Sequence, residues 1–559
     1  MKIKTRHYFL ATVVLFTAAG TGCKKSSSPP VTQPSALSIK NVFIDGVAAT
    51  SAASYMNPAT ATIKILLSNK ADKSTVAGAV SVTESGAAAS ALNITYENND
   101  STVVLKPQAA FKHLSQFQLL VKTSLKSVNG GTLAGQYSRS IATKIDSSAK
   151  FPLLSDNALM DLVQQQTFKY FWDFGHPVSG LARERNNGDN DIVTSGGTGF
   201  GIMTIPVAIS RSFITRAEGL ARMQKIVDFL QTKAVKVKGA FPHWLNGSTG
   251  AIVPFSTNDD GADLVETSYL VAGLLTARQY FNGTDPAETA LRTDINTLCN
   301  AVEWDWFRQG GQNVLYWHYS ATKEWAMNMK IQGWNECLIT YILAASSVTH
   351  SVPAAVYTGG WAGGSGFANG NNYYGYTLPL GTDYGGPLFF SHYSFLGVRP
   401  EGLQDSYANY ATQTKNHTLI DYNYCIANPR NYYGYSSDCW GLTASDIKNG
   451  YNANSPTNDI GVITPTAALS SFPYTPTESM KALKFFYYTL GDKLWKEYGF
   501  VDAFSLKDIW FADSYLAIDQ GPIVIMIENY RTGLVWNLFT SCPEVKNGMK
   551  ALGFTAPYL

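Results

Sequence analysis

Residues 157–174 read NALMDLVQQQTFKYFWDF. Leu159, Met160, Val163, Phe168, Phe171 and Trp172 recur at three- and four-residue intervals, the period of an amphipathic helix. Ser155 or Asp156 stands where it can cap that helix. The stretch divides the chain. Before it, ALSIKNVFIDG, ATIKILLSN, GAVSVTES, STVVLKPQ and FQLLVKTSL alternate apolar and polar residues between Gly, Asn, Asp and Ser clusters. That pattern predicts short antiparallel strands in a β-sandwich over 37–145. After it the period becomes 3.6. Helical stretches are expected near 157–174, 199–211, 215–235, 263–281, 287–308, 333–347, 389–395, 403–416, 464–471, 476–489, 520–538 and 543–552, without strands between them. So many helices exceed a four-helix bundle and carry no solenoid repeat. A ring of helical hairpins, the (α/α)6 barrel, fits, with one loop end free to hold a pocket.

The length of 559 residues calls for at least two domains. Net charge is +2, with no basic run that would track a nucleic-acid backbone, so no nucleic-acid partner is expected. The N-terminus has its own logic. Lys2, Lys4 and Arg6 precede the apolar YFLATVVLF, then small residues and Cys23. This is a signal peptide over 1–22. Its end, GTGC, resembles a lipobox with Cys23 as the lipidated residue, although Gly20 stands where that motif prefers Leu. Residues 23–36 read as a flexible tether, 146–154 as a linker and 155–559 as the helical domain. An exported, lipid-anchored, periplasm- or surface-facing monomer is the expectation. The other cysteines, Cys299, Cys337, Cys425, Cys439 and Cys542, lack metal-ligand spacing. Cys425 and Cys439 are near enough in sequence to bridge or to remain reduced. No metal and no cofactor are expected.

All 12 Trp lie in the helical part. Trp244, Trp317, Trp325, Trp334, Trp361 and Trp440 fall in presumed loops, beside Tyr, Asn, Asp and Arg. Such surfaces suit sugars, whose ring faces stack on aromatics and whose hydroxyls need polar partners. The sandwich has no Trp, which favours a spacer over a carbohydrate-binding module. GGTGFG at 196–201 has no preceding strand and no Lys at the offset of a phosphate loop, so nucleotide binding is rejected. Arg183, Glu184 and Arg185 can form a charge network upstream of it.

Residues 259–270 read DDGADLVETSYL. Asp259 or Asp260 is expected to cap the following helix, worth about 1 kcal/mol. Capping leaves Glu266 unexplained, flanked by Leu264, Val265, Tyr269 and Leu270. A carboxyl in apolar surroundings has a raised pKa and suits a general acid. Its partner carboxylate is sought in Asp459, read as a solvated loop residue able to act as general base, or in Asp519, which can also be a cap.

The motifs HPVSGLARER, GGTGFGIM, VETSYLVAGLLTARQYF, MKIQGWNECLITYILAASS, PLFFSHYSFLG, YGYSSDCWGLTASD, GVITPTAALSSFPYTPTES and IDQGPIVIMIENYRTG together resemble the bacterial glucoamylase-like domain. Within it the resemblance is to glycoside hydrolase family 144, the β-1,2-glucanases, over about 155–559. The sandwich resembles bacterial immunoglobulin-like domains. The resemblance implies an (α/α)6 barrel, no cofactor, and inverting hydrolysis of β-1,2-glucan to sophorooligosaccharides. It implies Glu266 as the acid-side carboxyl and Asp459 as its counterpart. Candidate subsite residues are Arg183, Asp191, Asp260, Trp334, Asn335, Glu336, Asp383, Tyr384, His392, Tyr393, Trp440, Asp519 and Gln520. Endo action is expected, with exo release of sophorose as the alternative. A polysaccharide lyase needs basic clusters for acidic sugars, which the near-neutral charge disfavours. A non-catalytic glycan-binding lipoprotein would need aromatic platforms but no opposed carboxylates.

Overall fold

The computed structural model describes residues 34–49, 54–85 and 87–559. The signal segment expected over 1–22, Cys23 and the expected tether as far as residue 33 lie outside the described residues. The chain divides into two compact units, after Lys144.

The first unit has two sheets. One has the strand order 47–48, 39–44, 63–67, 102–107, 92–97, and the other 54–56, 137–143, 116–121, 80–84. The period-two residues Ile63, Ile65 and Leu67 point inward and are at most 2% exposed, as are Val82 and Leu119. This is the half-buried alternation of a sandwich.

The second unit is mainly helical. An inner layer consists of helices Ser195–Ser210, Leu264–Tyr280, Leu338–Ser346, Pro465–Leu469 and Ala517–Arg531, with short turns Leu388–Ser391 and Ser394–Leu396. Helix 195–210 packs on 264–280 and on 517–531; 264–280 packs on 338–346; 338–346 packs on 394–396; and 465–469 packs on 517–531. Tyr474 Oη donates to Ser391 O, and His392 Nε2 bonds Ser471 Oγ, joining the turn segment to the region after helix 465–469. From Leu264 to Ala277 every residue is buried. A helix apolar all round belongs inside, and outer helices such as Arg216–Thr232, Pro286–Asn300 and Pro543–Ala551 cover the layer with one face each.

The inner helices approach closely through glycine. A Cβ on Gly199 would lie 2.2 Å from Tyr269 O, and one on Gly273 would lie 2.3 Å from Gly199 O. This is the role of the glycine-rich 196–201 run. Its first residues are helical from Ser195, four residues earlier than expected, because burial overrides the poor helix propensity of Gly.

Other boundaries differ from expectation. The helix expected at 403–416 is Tyr410–Ala427, capped by Asn409, whose side chain accepts from Thr412 N. The run 520–538 breaks at Gly533, at φ 70°, into two helices. The segment 389–395 is 3-10 turns rather than an α-helix. Small sheets occupy the loops, such as 192–194 with 244–246 and 252–253, where no strands were expected.

The segment 146–154 is not a free linker. Lys150 N donates to Tyr488 O at 2.7 Å and Leu154 N to Tyr488 Oη at 2.8 Å, while Phe151 lies 4.7 Å from the Tyr487 ring. Phe151→Ala in the full chain should therefore lower the melting temperature of the helical unit by about 2 °C, from a loss of about 1–2 kcal/mol in a large domain. An unchanged calorimetric transition would show that the segment contributes nothing.

Candidate active site

The first turns of the inner helices meet at one end of the layer. Gly197 packs against Ala517, Thr466 Oγ1 donates to Asp519 O at 2.8 Å, and Tyr269 Oη donates to Glu336 O at 3.4 Å. Each helix start brings unpaired backbone N–H groups, which favour anionic side chains there.

Glu266 lies in the first turn of helix 264–280, 4% exposed. The cap is Asp263, not Asp259 or Asp260: Asp263 Oδ1 accepts from Val265 N at 3.0 Å and Glu266 N at 2.9 Å. Glu266 has the position of a capping-box acid. It does not fold back, because Asp263 N already donates to Phe241 O. Instead Glu266 Oε2 accepts from Gly196 N at 2.7 Å and Thr194 Oγ1 at 3.2 Å, and Oε1 has no hydrogen-bond partner among the described residues. A Cβ on Gly196 would lie 2.4 Å from Oε2, so only glycine admits the carboxyl. Burial raises the Glu266 pKa and the Asp263 charge adds to this, against the pull of His243.

Two histidines bind this acidic floor together. His243 Nδ1 lies 3.1 Å from Asp263 Oδ2, and His318 Nε2 lies 3.3 Å from Asp259 Oδ2 and 3.6 Å from Asp263 Oδ2. Strand pairing sets His318 directly opposite Asp263. Burial disfavours the His243 cation, but Glu266, Asp263 and Asp259 outweigh it and push its pKa up to about 9. Burial alone would raise Asp263, yet the His243 hydrogen bond and both histidine charges hold it below its ordinary value. His243, Asp259 and Asp263 place ligand atoms within 4.8 Å of one another, close enough to hold a cation. In this structure they are engaged with each other and with His318. Glu336, at the start of helix 338–346, is pushed up to about 7 by burial and by the charges of Glu266 and Asp263.

Asp459 is not the solvated loop residue expected. It is 2% exposed. Oδ1 accepts from Tyr435 Oη at 2.8 Å and Gly461 N at 2.9 Å, and Oδ2 from Tyr424 Oη at 3.1 Å. A carboxylate has about four acceptor sites, so one on Oδ2 stays open. An aromatic lobe flanks it. Tyr384, at φ 61°, stacks 4.5 Å from Tyr373 and lies 6.2 Å from Tyr424, while Tyr373 Oη donates to Asp383 Oδ1 at 2.8 Å. A tyrosine held at positive φ stores backbone strain of a kind that clusters at functional sites. Tyr424 and Tyr435 were missed in the sequence, because their approach to Asp459 is tertiary.

A third acid group centres on Asp519, in the first turn of helix 517–531. Its pKa is raised well above normal by burial and by Asp502, itself pushed up to about 7 by burial and the Asp446 charge. Arg185 Nη1 donates to both Asp446 oxygens at 3.2 Å. Arg185, not Arg183, is therefore the arginine joined to this acid group. Tyr393 touches Phe200 and Tyr269, and its hydroxyl feels the charges of both Asp519 and Glu266.

Several expected subsite residues have structural work. Arg183 donates to Asn190 O and Phe174 O. Trp334 is 6% and Trp440 0% exposed, so they are core residues rather than sugar platforms. His392 is buried, with its pKa lowered to about 3 by desolvation, and bonds Ser471. Gln520 donates to Phe500 O from a buried position, and Asn335 Oδ1 accepts from Cys337 N. Asp260 pairs with Lys323 at 2.9 Å, and the exposed Asp191 lies 3.2 Å from His176. Cys425 and Cys439 are both free and buried.

Comparisons with known proteins show which proteins the two units resemble. Residues 328–543 match a family model described as "putative glucoamylase", and 44–143 match one described as a bacterial Ig-like domain. An exo β-1,2-glucooligosaccharide sophorohydrolase of Parabacteroides distasonis is 45% identical over 427 residues, 73% of this chain. The match spans 59% of that relative's length, less than two thirds. A crystal structure described as a "putative glucoamylase" from Bacteroides uniformis is 57% identical, with TM-score 0.72, covering 73% of this chain and all (100%) of that one. The endo-β-1,2-glucanase of Chitinophaga pinensis, solved with sophorotriose and glucose, is 52% identical, with TM-score 0.71 and coverages of 73% and 100%.

His243 holds a positive charge beside Glu266 and lowers its pKa. His243→Asn removes that charge, so the Glu266 pKa should rise. Any activity that needs Glu266 protonated then persists to higher pH, and the alkaline limb of the kcat/KM profile should move upward. An unmoved or lowered alkaline limb would contradict this electrostatic link.

Proposed function

We infer the reaction from one premise: the chain belongs to the glucoamylase-like glycoside hydrolases of family 144, the β-1,2-glucan hydrolases. The substrate is β-1,2-glucan, cut within the chain to sophorooligosaccharides with inversion at the anomeric carbon. The inner layer and its outer helices form an (α/α)6 barrel, and the meeting helix starts form the floor of its cleft. The observation that carries this reading is Glu266: one oxygen is fixed by Gly196 N and Thr194, the other has no hydrogen-bond partner among the described residues, and burial favours the protonated form. That is the state a general acid needs to protonate a leaving glycosidic oxygen.

Asp459 is the base. Tyr424, Tyr435 and Gly461 fix its orientation and leave one acceptor direction for water or for a sugar hydroxyl that relays the proton. Glu336, pushed up to about 7 by burial and by the charges of Glu266 and Asp263, is assigned as a group that exchanges protons near neutrality. His243, Asp263, Asp259 and His318 form a charge-balanced network that holds the start of helix 264–280 in place, and we assign them no metal. Asp519, in the first turn of helix 517–531, and Asp383 and Tyr384, beside Tyr373, are assigned as subsite residues. The exo reading, release of sophorose from a chain end, draws support from the Parabacteroides relative. The endo reading draws support from the Chitinophaga enzyme, which this chain covers in full at 100%. Cys23 carries a lipid that holds the protein in the cell envelope, and the first unit spaces the enzyme from that anchor.

Glu266→Gln and Asp459→Asn should each lower turnover on linear β-1,2-glucan by at least about 10²-fold, the scale of acid–base catalysis, with sugar binding retained. NMR of the first product should show the α-anomer emerging from a β-linkage. First appearance of the β-anomer, or near-normal turnover in both variants, would overturn the assignment.

A further inference from the structure

An open cavity of about 890 Å³ lies at the other end of the helical unit. Its walls include Asn157, Arg211, Thr477, Lys481, Tyr530 and Arg531. Arg211 follows the last residue of helix Ser195–Ser210, whose first turn holds Glu266. At 1.5 Å per residue that helix is about 24 Å long, so the cavity is separate from the catalytic end. Tyr530 lies in the last turn of helix Ala517–Arg531, whose first turn holds Asp519, and gives the same polarity.

The lining has the composition of a sugar site. Tyr530 is 44% exposed, and its ring is backed by buried Phe472 at 5.6 Å, leaving an aromatic face toward solvent. Around it stand guanidinium groups already fixed by carboxylates. Arg211 donates to Glu528 at 2.7 and 3.0 Å, and Arg531 to Asp161 at 2.6 Å and Gln164 at 2.8 Å. Lys484 pairs with Asp156 at 2.7 Å. The cations are thus largely neutralised, which disfavours a strongly anionic ligand and leaves planar, oriented donors for hydroxyls. Asn157, Thr477 and exposed Lys481 add further polar groups. Because the side chains are held in place beforehand, little conformational entropy is lost on binding. The volume falls in the range of small-ligand sites.

We propose that this distal cavity is a second, non-catalytic glucan-binding site in which a β-1,2-linked glucose segment stacks on Tyr530. The ligand class rests on the hydrolase reading above. A polymer engaged here stays at high effective concentration near the catalytic cleft, an effect a short oligosaccharide cannot share.

The test uses full-chain protein, β-1,2-linked glucotetraose and glucopentaose, and linear β-1,2-glucan. Calorimetric titration of Glu266→Gln protein with the pentaose should give two sites per chain, and adding Tyr530→Ala should leave one. In otherwise wild-type protein, Tyr530→Ala should raise KM for the long glucan about fivefold and leave kcat/KM for the tetraose unchanged. Thr477→Arg, at an exposed wall position, should reproduce both effects by filling the cavity. Normal glucan hydrolysis with a single site, insensitive to either substitution, overturns the distal site and leaves the catalytic reading standing. Wild-type protein that leaves the glucan intact overturns both.

Discussion

The close crossing of helices 195–210 and 264–280 is the constraint on which the site depends. At Gly199 and Gly273 the two backbones touch, with no room for a methyl group between them. Only at this separation does Gly196 N reach Glu266 Oε2. A wider crossing would admit water and release the carboxyl. The same contact puts the first turn of helix 195–210 between Glu266 on one side and the start of helix 517–531 on the other, so one glycine-rich segment aligns two acidic first turns. The packing that stabilises the helical layer also dries the carboxyl.

Drying a carboxyl beside other carboxylates has an electrostatic cost, and the structure meets it in two ways. Around Glu266 it supplies cations: His243 and His318 lie among Asp259, Asp263 and Glu266. Around Asp519 it favours protonated carboxyls, with Asp502 pushed up to about 7 and Asp519 raised well above its ordinary value. Asp459 is handled differently, by three donors aimed at its oxygens. Environments that separate the behaviour of neighbouring acids are how one cleft holds both a proton donor and a proton acceptor at a single pH.

The two-unit organisation was legible because period two and period 3.6 are local signals. So was Glu266, since an acid among Leu264, Val265, Tyr269 and Leu270 contradicts the polarity of a surface turn. The cap was misplaced by three or four residues because backbone geometry at Asp263, not acid density, selects it. Helix 195–198 was hidden by glycines whose role is a contact with another helix. Trp334 and Trp440 looked like platforms because a loop position says nothing about burial. Tyr424 and Tyr435 stand 35 and 24 residues from Asp459, and no local pattern joins them.

The fold raises the Glu266 pKa by burial and leaves its second oxygen without a hydrogen-bond partner among the described residues. Difference infrared spectroscopy of the wild-type protein against Glu266→Gln, titrated across neutral pH, reads the proton on that carboxyl directly. The wild type should show a protonated-carboxyl band that is missing from the variant and fades only as pH rises above the ordinary glutamate range. A band that titrates at or below the ordinary glutamate range would show that the fold does not raise the Glu266 pKa.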